Sequence, residues 1–270
     1  MSFIIPLAET FYIVQIIINS AVILSILLAR CVCREKPRFH VYLLLLANLF
    51  GIIYSAVWLH EYSFQGNSSA QYNAIDQNTA TAAMIFTNLA SNFAFLVGFF
   101  ALQQVTKTYL GGTQLWIKVA SALASLWTLA VLILSGVASS NLSVWNLLMI
   151  ISIIGWGMVA LCALLLLVLV GVRIFYNNRV PSGIARHQVV LTFALVAVYI
   201  CLLTVDVIFS TVAPYVNDTG SMAVAGLIVD IIFFRAPGFL FAVFYRRLSA
   251  MPPYAEQMDV ECADVQPLKA

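Results

Sequence analysis

The chain has 270 residues, 63% of them hydrophobic and 9% charged, with a formal net charge of +2 and a mean hydropathy of +0.99. A water-soluble domain carries about 25% charged residues to keep its surface wet. This chain cannot cover itself in water, which excludes a soluble enzyme or binding domain and makes the lipid bilayer its first partner; no nucleic acid partner is expected.

Seven apolar stretches are long enough to cross a hydrocarbon core about 30 Å thick at about 1.5 Å per residue. They run over 9–30, 39–60, 80–106, 114–136, 145–174, 188–212 and 221–245. Segments such as Leu161–Val170 are apolar at every position, whereas a membrane strand alternates apolar and polar residues. Backbone groups in lipid must bond within their own segment, so the spans are helices. The expectation is an all-α membrane protein: a seven-transmembrane helix bundle over 1–247 and a short disordered cytoplasmic tail over 248–270.

Residues 1–8 contain no Lys or Arg and are interrupted by Pro6. Without a basic leader, the first apolar run is expected to remain as a span rather than be cleaved as a signal peptide. That span carries Asn19 and ends at Arg30, with Cys31, Cys33, Arg34, Lys36 and Arg38 following. Cys31 and Cys33, juxtamembrane and beside basic residues, are candidate palmitoylation sites, with two inert reduced thiols as the alternative. The second span carries Asn48 and leads into the connection Glu61–Thr79, which holds the sequon Asn67-Ser68-Ser69. The third carries Asn92, and Lys107 and Lys118 flank the connection after it. Helix four has the small-residue spacings Ala120-x-x-x-Ala124 and Ser121-x-x-x-Ser125, which permit close helix contact. A second sequon starts at Asn141. Helix five contains Gly155-Trp156-Gly157, a packing feature, and is followed by Arg173, Arg179 and Arg186. Helix six carries Asp206, and the connection after it holds the third sequon, at Asn217. Helix seven carries Asp230, Arg235 and Pro237, and Arg246, Arg247 and Lys269 lie beyond it.

With the N-terminus outside, 12 of the 13 Lys and Arg residues fall on the inner side, and the thirteenth, Arg235, is inside helix seven. The positive-inside rule therefore predicts N-terminus out and C-terminus in. The sequons agree without using charge: Asn67, Asn141 and Asn217 each fall in a predicted outer connection. Asn67 is the strongest glycosylation candidate, because Asn141 and Asn217 lie close to lipid. No cysteine falls in an outer connection, so no disulfide is expected there. These features place the chain in the plasma membrane or another secretory-pathway membrane.

A charge near the bilayer centre costs about 2.5–3.5 kcal/mol on insertion scales and is functional until explained otherwise. At about 1.5 Å per residue, Asp206 lies roughly 9 Å and Asp230 roughly 14 Å below the outer end of its helix, on a common outward-facing cavity. Asp230 and Arg235 are five residues apart, about 140° around a straight α-helix, and so are not expected to pair unless Pro237 bends the helix. Asn19, Asn48 and Asn92 come to similar depths and complete a predicted polar layer with Asp230 and Arg235. The competing view is that these side chains only bond helices together.

Catalytic constellations are missing. His40, His60 and His187 are divided between the two membrane surfaces, about 30 Å apart, and cannot share a metal ion or a haem. No nucleophile elbow and no phosphate-binding glycine loop is present. No catalysis, cofactor or metal is expected.

The topology resembles the seven-transmembrane, G-protein-coupled-receptor-like superfamily. Asn19-Ser20-Ala21-Val22 is similar to the Asn-x-x-Val of helix one in rhodopsin-like receptors. Ala236-Pro237-Gly238-Phe239-Leu240 stands in the place of their Asn-Pro-x-x-Tyr, and Phe244-Tyr245-Arg246-Arg247 is similar to the start of their cytoplasmic eighth helix. Leu102-Gln103-Gln104-Val105-Thr106-Lys107 replaces their Asp-Arg-Tyr, and helix seven has no lysine to hold retinal. The resemblance implies a receptor-like transducer with a small-molecule ligand in the outward cavity and a cytoplasmic signalling partner at the inner loops. A small-solute, proton or ion transporter and a non-catalytic membrane scaffold are the alternatives; the lack of internal repeats disfavours a transporter.

Overall fold

The computed structural model describes residues 4–33, 39–66, 77–109, 115–138, 142–176, 184–212, 225–226 and 228–249. All described secondary structure is helical. The elements are α1 (Ile4–Cys33), α2 (Phe39–Gly66), α3 (Gln77–Tyr109), α4 (Leu115–Ala138), α5 (Leu142–Tyr176), α6 (Ile184–Val212), a π turn over Asp230–Arg235, and α7 (Ala236–Ser249) running directly out of it.

Among the described residues, five helices are long and apolar enough to cross a membrane, over Glu9–Leu28, Phe39–Glu61, Thr81–Lys107, Ile153–Tyr176 and Gln188–Phe209. In α4 the corresponding apolar run is the shorter Leu115–Trp127. The protein is thus a multi-pass helical protein suited to a bilayer. Helices α1–α6 start and end within six residues of the first six predicted apolar runs, because run length and helix length are set by the same hydrocarbon thickness, and the start of the seventh run, 221–245, lies outside the described residues.

Each helix packs on its neighbour in sequence, and α7 lies against both α1 and α6, closing the ring. The helix α3 also contacts α5 and α6, which places it at the centre. Burial agrees: 67% of the apolar stretch of α3 is buried, against 28% of that of α1. Around the outside, Leu24, Ile133, Ile154, Leu165 and Val168 are more than half exposed. An apolar belt of this kind is stable only against lipid.

Two contacts fix the centre. Tyr199 of α6 donates its hydroxyl to the Ala94 carbonyl of α3 at 3.0 Å, and its ring lies 4.6 Å from that of Phe241 in α7. Beside them, a Cβ at Gly98 would sit 2.8 Å from Cγ1 of Ile200, so α3 and α6 approach as closely as they do because Gly98 has none. Gly155 is overlain by the Trp127 indole of α4, a packing role for that glycine, whereas a Cβ at Gly157 would meet nothing within 4 Å.

Candidate functional site

The side chains expected to be expensive in lipid converge where α1, α2, α6 and the π turn meet. Arg235 is 3% exposed, Asp206 is 7% exposed, and Asn19 is fully buried. Nε of Arg235 donates to Oδ2 of Asp230 at 3.1 Å. The same carboxylate oxygen accepts from Nε2 of Gln15 in α1. Gln15 in turn accepts, through Oε1, from the Ser55 hydroxyl of α2 at 2.9 Å. The Ser55 hydroxyl also lies 2.9 Å from the Gly51 carbonyl, so one oxygen ties the chain of contacts to the α2 backbone.

The Asp230–Arg235 pair corrects the expectation that five residues' separation keeps them apart. That expectation assumed an α-helix. Across Asp230–Arg235 the backbone is a π turn, closed by the Ala236 N–H donating to the Ile231 carbonyl. A π turn bonds residue i to i+5 and so brings side chains five apart to one side of the helix. Pro237 gives a local reason: its ring would clash with the carbonyl four residues back and it has no N–H to donate there. Widening the preceding turn relieves both problems, so the proline acts through register rather than through a simple bend.

The guanidinium is held on three sides. Its Cζ lies 4.3 Å from the centroid of the Phe234 ring, a cation–π distance. Asp230 takes Nε, and Gly51 leaves room for Nη1: a Cβ there would collide with Nη1 and lie 2.9 Å from Nδ2 of Asn19. Nη1 of Arg235 and both amide atoms of Asn19 are buried without a hydrogen-bond partner among the described residues. Groups in that state each cost roughly 1–3 kcal/mol. Asp206 reaches the cluster from α6, within electrostatic range of Asp230 and Arg235.

Of the polar layer predicted, Asn19, Asp230 and Arg235 are brought together, with Asp206 beside them. Asn48 is buried but donates to the Leu44 carbonyl of its own helix at 2.7 Å. Asn92 likewise donates to the Asn88 carbonyl at 2.8 Å. Both spend their amides on local carbonyls rather than on the cluster, as short polar side chains in helices do. Gln15 and Ser55 were not anticipated. The signal was present: Gln15 stands one turn before Asn19 and Ser55 one turn after Gly51, on the same faces.

Pro237 is buried at the start of α7. The Cys31 side chain is exposed, and that of Cys33 lies outside the described residues. So do Asn67, Asn141 and Asn217, together with most of the connections that carry them. Among the described residues no group of three or more His, Cys, Asp or Glu could hold a metal ion.

Replacing Pro237 with alanine restores the missing N–H and permits an α turn. Arg235 would then rotate away from Asp230, and mutating Arg235 would cost less in this background than in the natural one. Thermal unfolding of the four variants in detergent measures that coupling; an unchanged coupling would show that the proline does not set the register.

No family model, curated protein or solved structure matches this chain.

Proposed function

We propose that the chain crosses the membrane seven times, with its N-terminus outside and its C-terminus in the cytoplasm, and acts as a receptor-like signal transducer of the G-protein-coupled-receptor-like superfamily. The basic residues between spans support the orientation, and the sequons support it independently. On this topology Asn67 carries the glycan, and the molecule resides in the plasma membrane or another secretory-pathway membrane. The end of α5, bearing Arg173, and the connection after it, bearing Arg179, face the cytoplasmic partner.

One observation carries the functional part: a buried ion pair held across a π turn, next to buried polar atoms of Asn19 and Arg235 that no described residue satisfies. A π turn is a one-residue register defect, so the helix has a second, discrete arrangement in which Asp230 and Arg235 part. A small polar ligand entering from the outer side, with an acceptor for Nη1 and complementary groups for Asn19, stabilises one arrangement over the other. That differential affinity is what a receptor requires. A helix-seven rotation then reaches the inner surface through α7.

The experiment is a fluorophore placed in the connection after α5 of the purified protein, read while a small-molecule panel is added. The expected result is a ligand-dependent signal that Arg235→Ala abolishes. A signal indifferent to every compound, together with ion or proton flux in vesicles that Asp230→Asn removes, would replace the receptor with a transporter. Indifference in both assays would leave a scaffold.

A further inference from the structure

Where α2 begins and α3 ends, the two helices enclose a cavity of about 290 Å³ lined by Phe39, His40, Phe100, Gln103, Gln104 and Lys107. It is separate from the polar cluster around Arg235. We infer that this cavity binds the phosphorylated headgroup of an anionic membrane lipid.

Its lining suits a polyvalent acceptor. Lys107 offers an ammonium, Gln103 and Gln104 offer carboxamide N–H groups, and His40 offers an imidazole. Phosphate oxygens accept from all of these. Among the described residues no carboxylate lines the cavity to repel an anion. Phe39 and His40 also open α2, whose first turn contains no acidic residue, so the positive end of the helix dipole lies beside the site.

The apolar part selects a lipid over a free anion. The Phe39 ring meets that of Phe100 edge-on, with centroids 4.8 Å apart, yet Phe39 is 60% exposed. A soluble phosphate gains nothing from this surface, whereas a glycerol backbone and acyl chain lie along it. The volume is close to that of small-molecule pockets, roughly 300 Å³ and upward, and suits a headgroup. Arg30, Arg34, Lys36 and Arg38 precede Phe39 in the sequence and enrich anionic lipid nearby. Assignment to the cytoplasmic leaflet rests on the orientation proposed above; binding itself does not.

The test is lipid retention by the full chain in nanodiscs of phosphatidylcholine alone, with phosphatidylserine, or with a phosphoinositide, read by native mass spectrometry. Both leaflets are present in a nanodisc, so a wrong orientation cannot hide the binding. Saturable phosphoinositide retention is expected, falling at least about tenfold in Lys107→Gln, the loss of one charge-assisted contact. Lys118→Gln, another exposed lysine but outside the cavity, should leave it unchanged. Equal loss in both variants, or equal retention of all three lipids, overturns the site. Inorganic phosphate competing as well as the lipid overturns the lipid as its source. Unfolding temperatures measured without added lipid separate lost binding from lost folding.

Discussion

Replacing Arg235 with alanine is expected to destabilise the protein by about 3–5 kcal/mol, the range for removing one partner of a buried ion pair. The cause is the group left behind. Asp230 would keep its bond from Gln15 but lose the guanidinium, and Asp206 would lose the same neighbouring charge. The Asp230 side chain is 24% exposed, which sets the loss toward the lower end of the range. Arg235→Lys keeps the charge but not the flat group over Phe234, and should recover part of the loss. Adding Asp230→Asn to Arg235→Ala should also recover stability, because it removes the unpaired carboxylate. Unfolding of the three detergent-purified variants beside the natural protein measures these effects. A cost below about 1 kcal/mol for Arg235→Ala would mean a hydrated pair, as at a protein surface.

Gly51→Ala is the second large effect. The added Cβ would collide with Nη1 of Arg235 and lie 3.2 Å from its Cζ. The guanidinium cannot swing aside freely, since Asp230 holds Nε and Phe234 lies under its plane. Overpacking of this kind costs about 1–3 kcal/mol. In an Arg235→Ala background the collision with that side chain is gone and the cost should fall, leaving only the 2.9 Å approach to Nδ2 of Asn19. Gly238→Ala is the control: its Cβ would stand 4.0 Å from Cδ1 of Leu44, an ordinary contact. There the helix-propensity gain of about 0.5–1 kcal/mol should make the substitution neutral or stabilising. Equal losses at Gly51 and Gly238 would separate the effect from Arg235 altogether.

The helices were legible because hydrocarbon thickness dictates both the length of an apolar run and the length of the helix it forms. The site was legible in part for a related reason. An aspartate or arginine inside such a run stands out, which is how Asp206, Asp230 and Arg235 were found. Gln15 and Ser55 were harder, because uncharged polar residues are tolerated in spans and only their partners distinguish them. Asn48 and Asn92 look equivalent to Asn19 in sequence, but their amides turn back onto their own helices. Which way an asparagine turns depends on its neighbours, and a sequence without a fold does not supply them. The Asp230–Arg235 pair failed on geometry: a period of 3.6 residues was applied where Pro237 favours a wider turn.

Placing different epitopes at the two ends of the chain in intact cells tests the seven-span account most directly. The account predicts that antibody reaches the N-terminal epitope without permeabilisation and the C-terminal epitope only after it, with Asn67→Gln removing a glycan. Both epitopes reached, or both protected, would mean an even number of crossings and would contradict it.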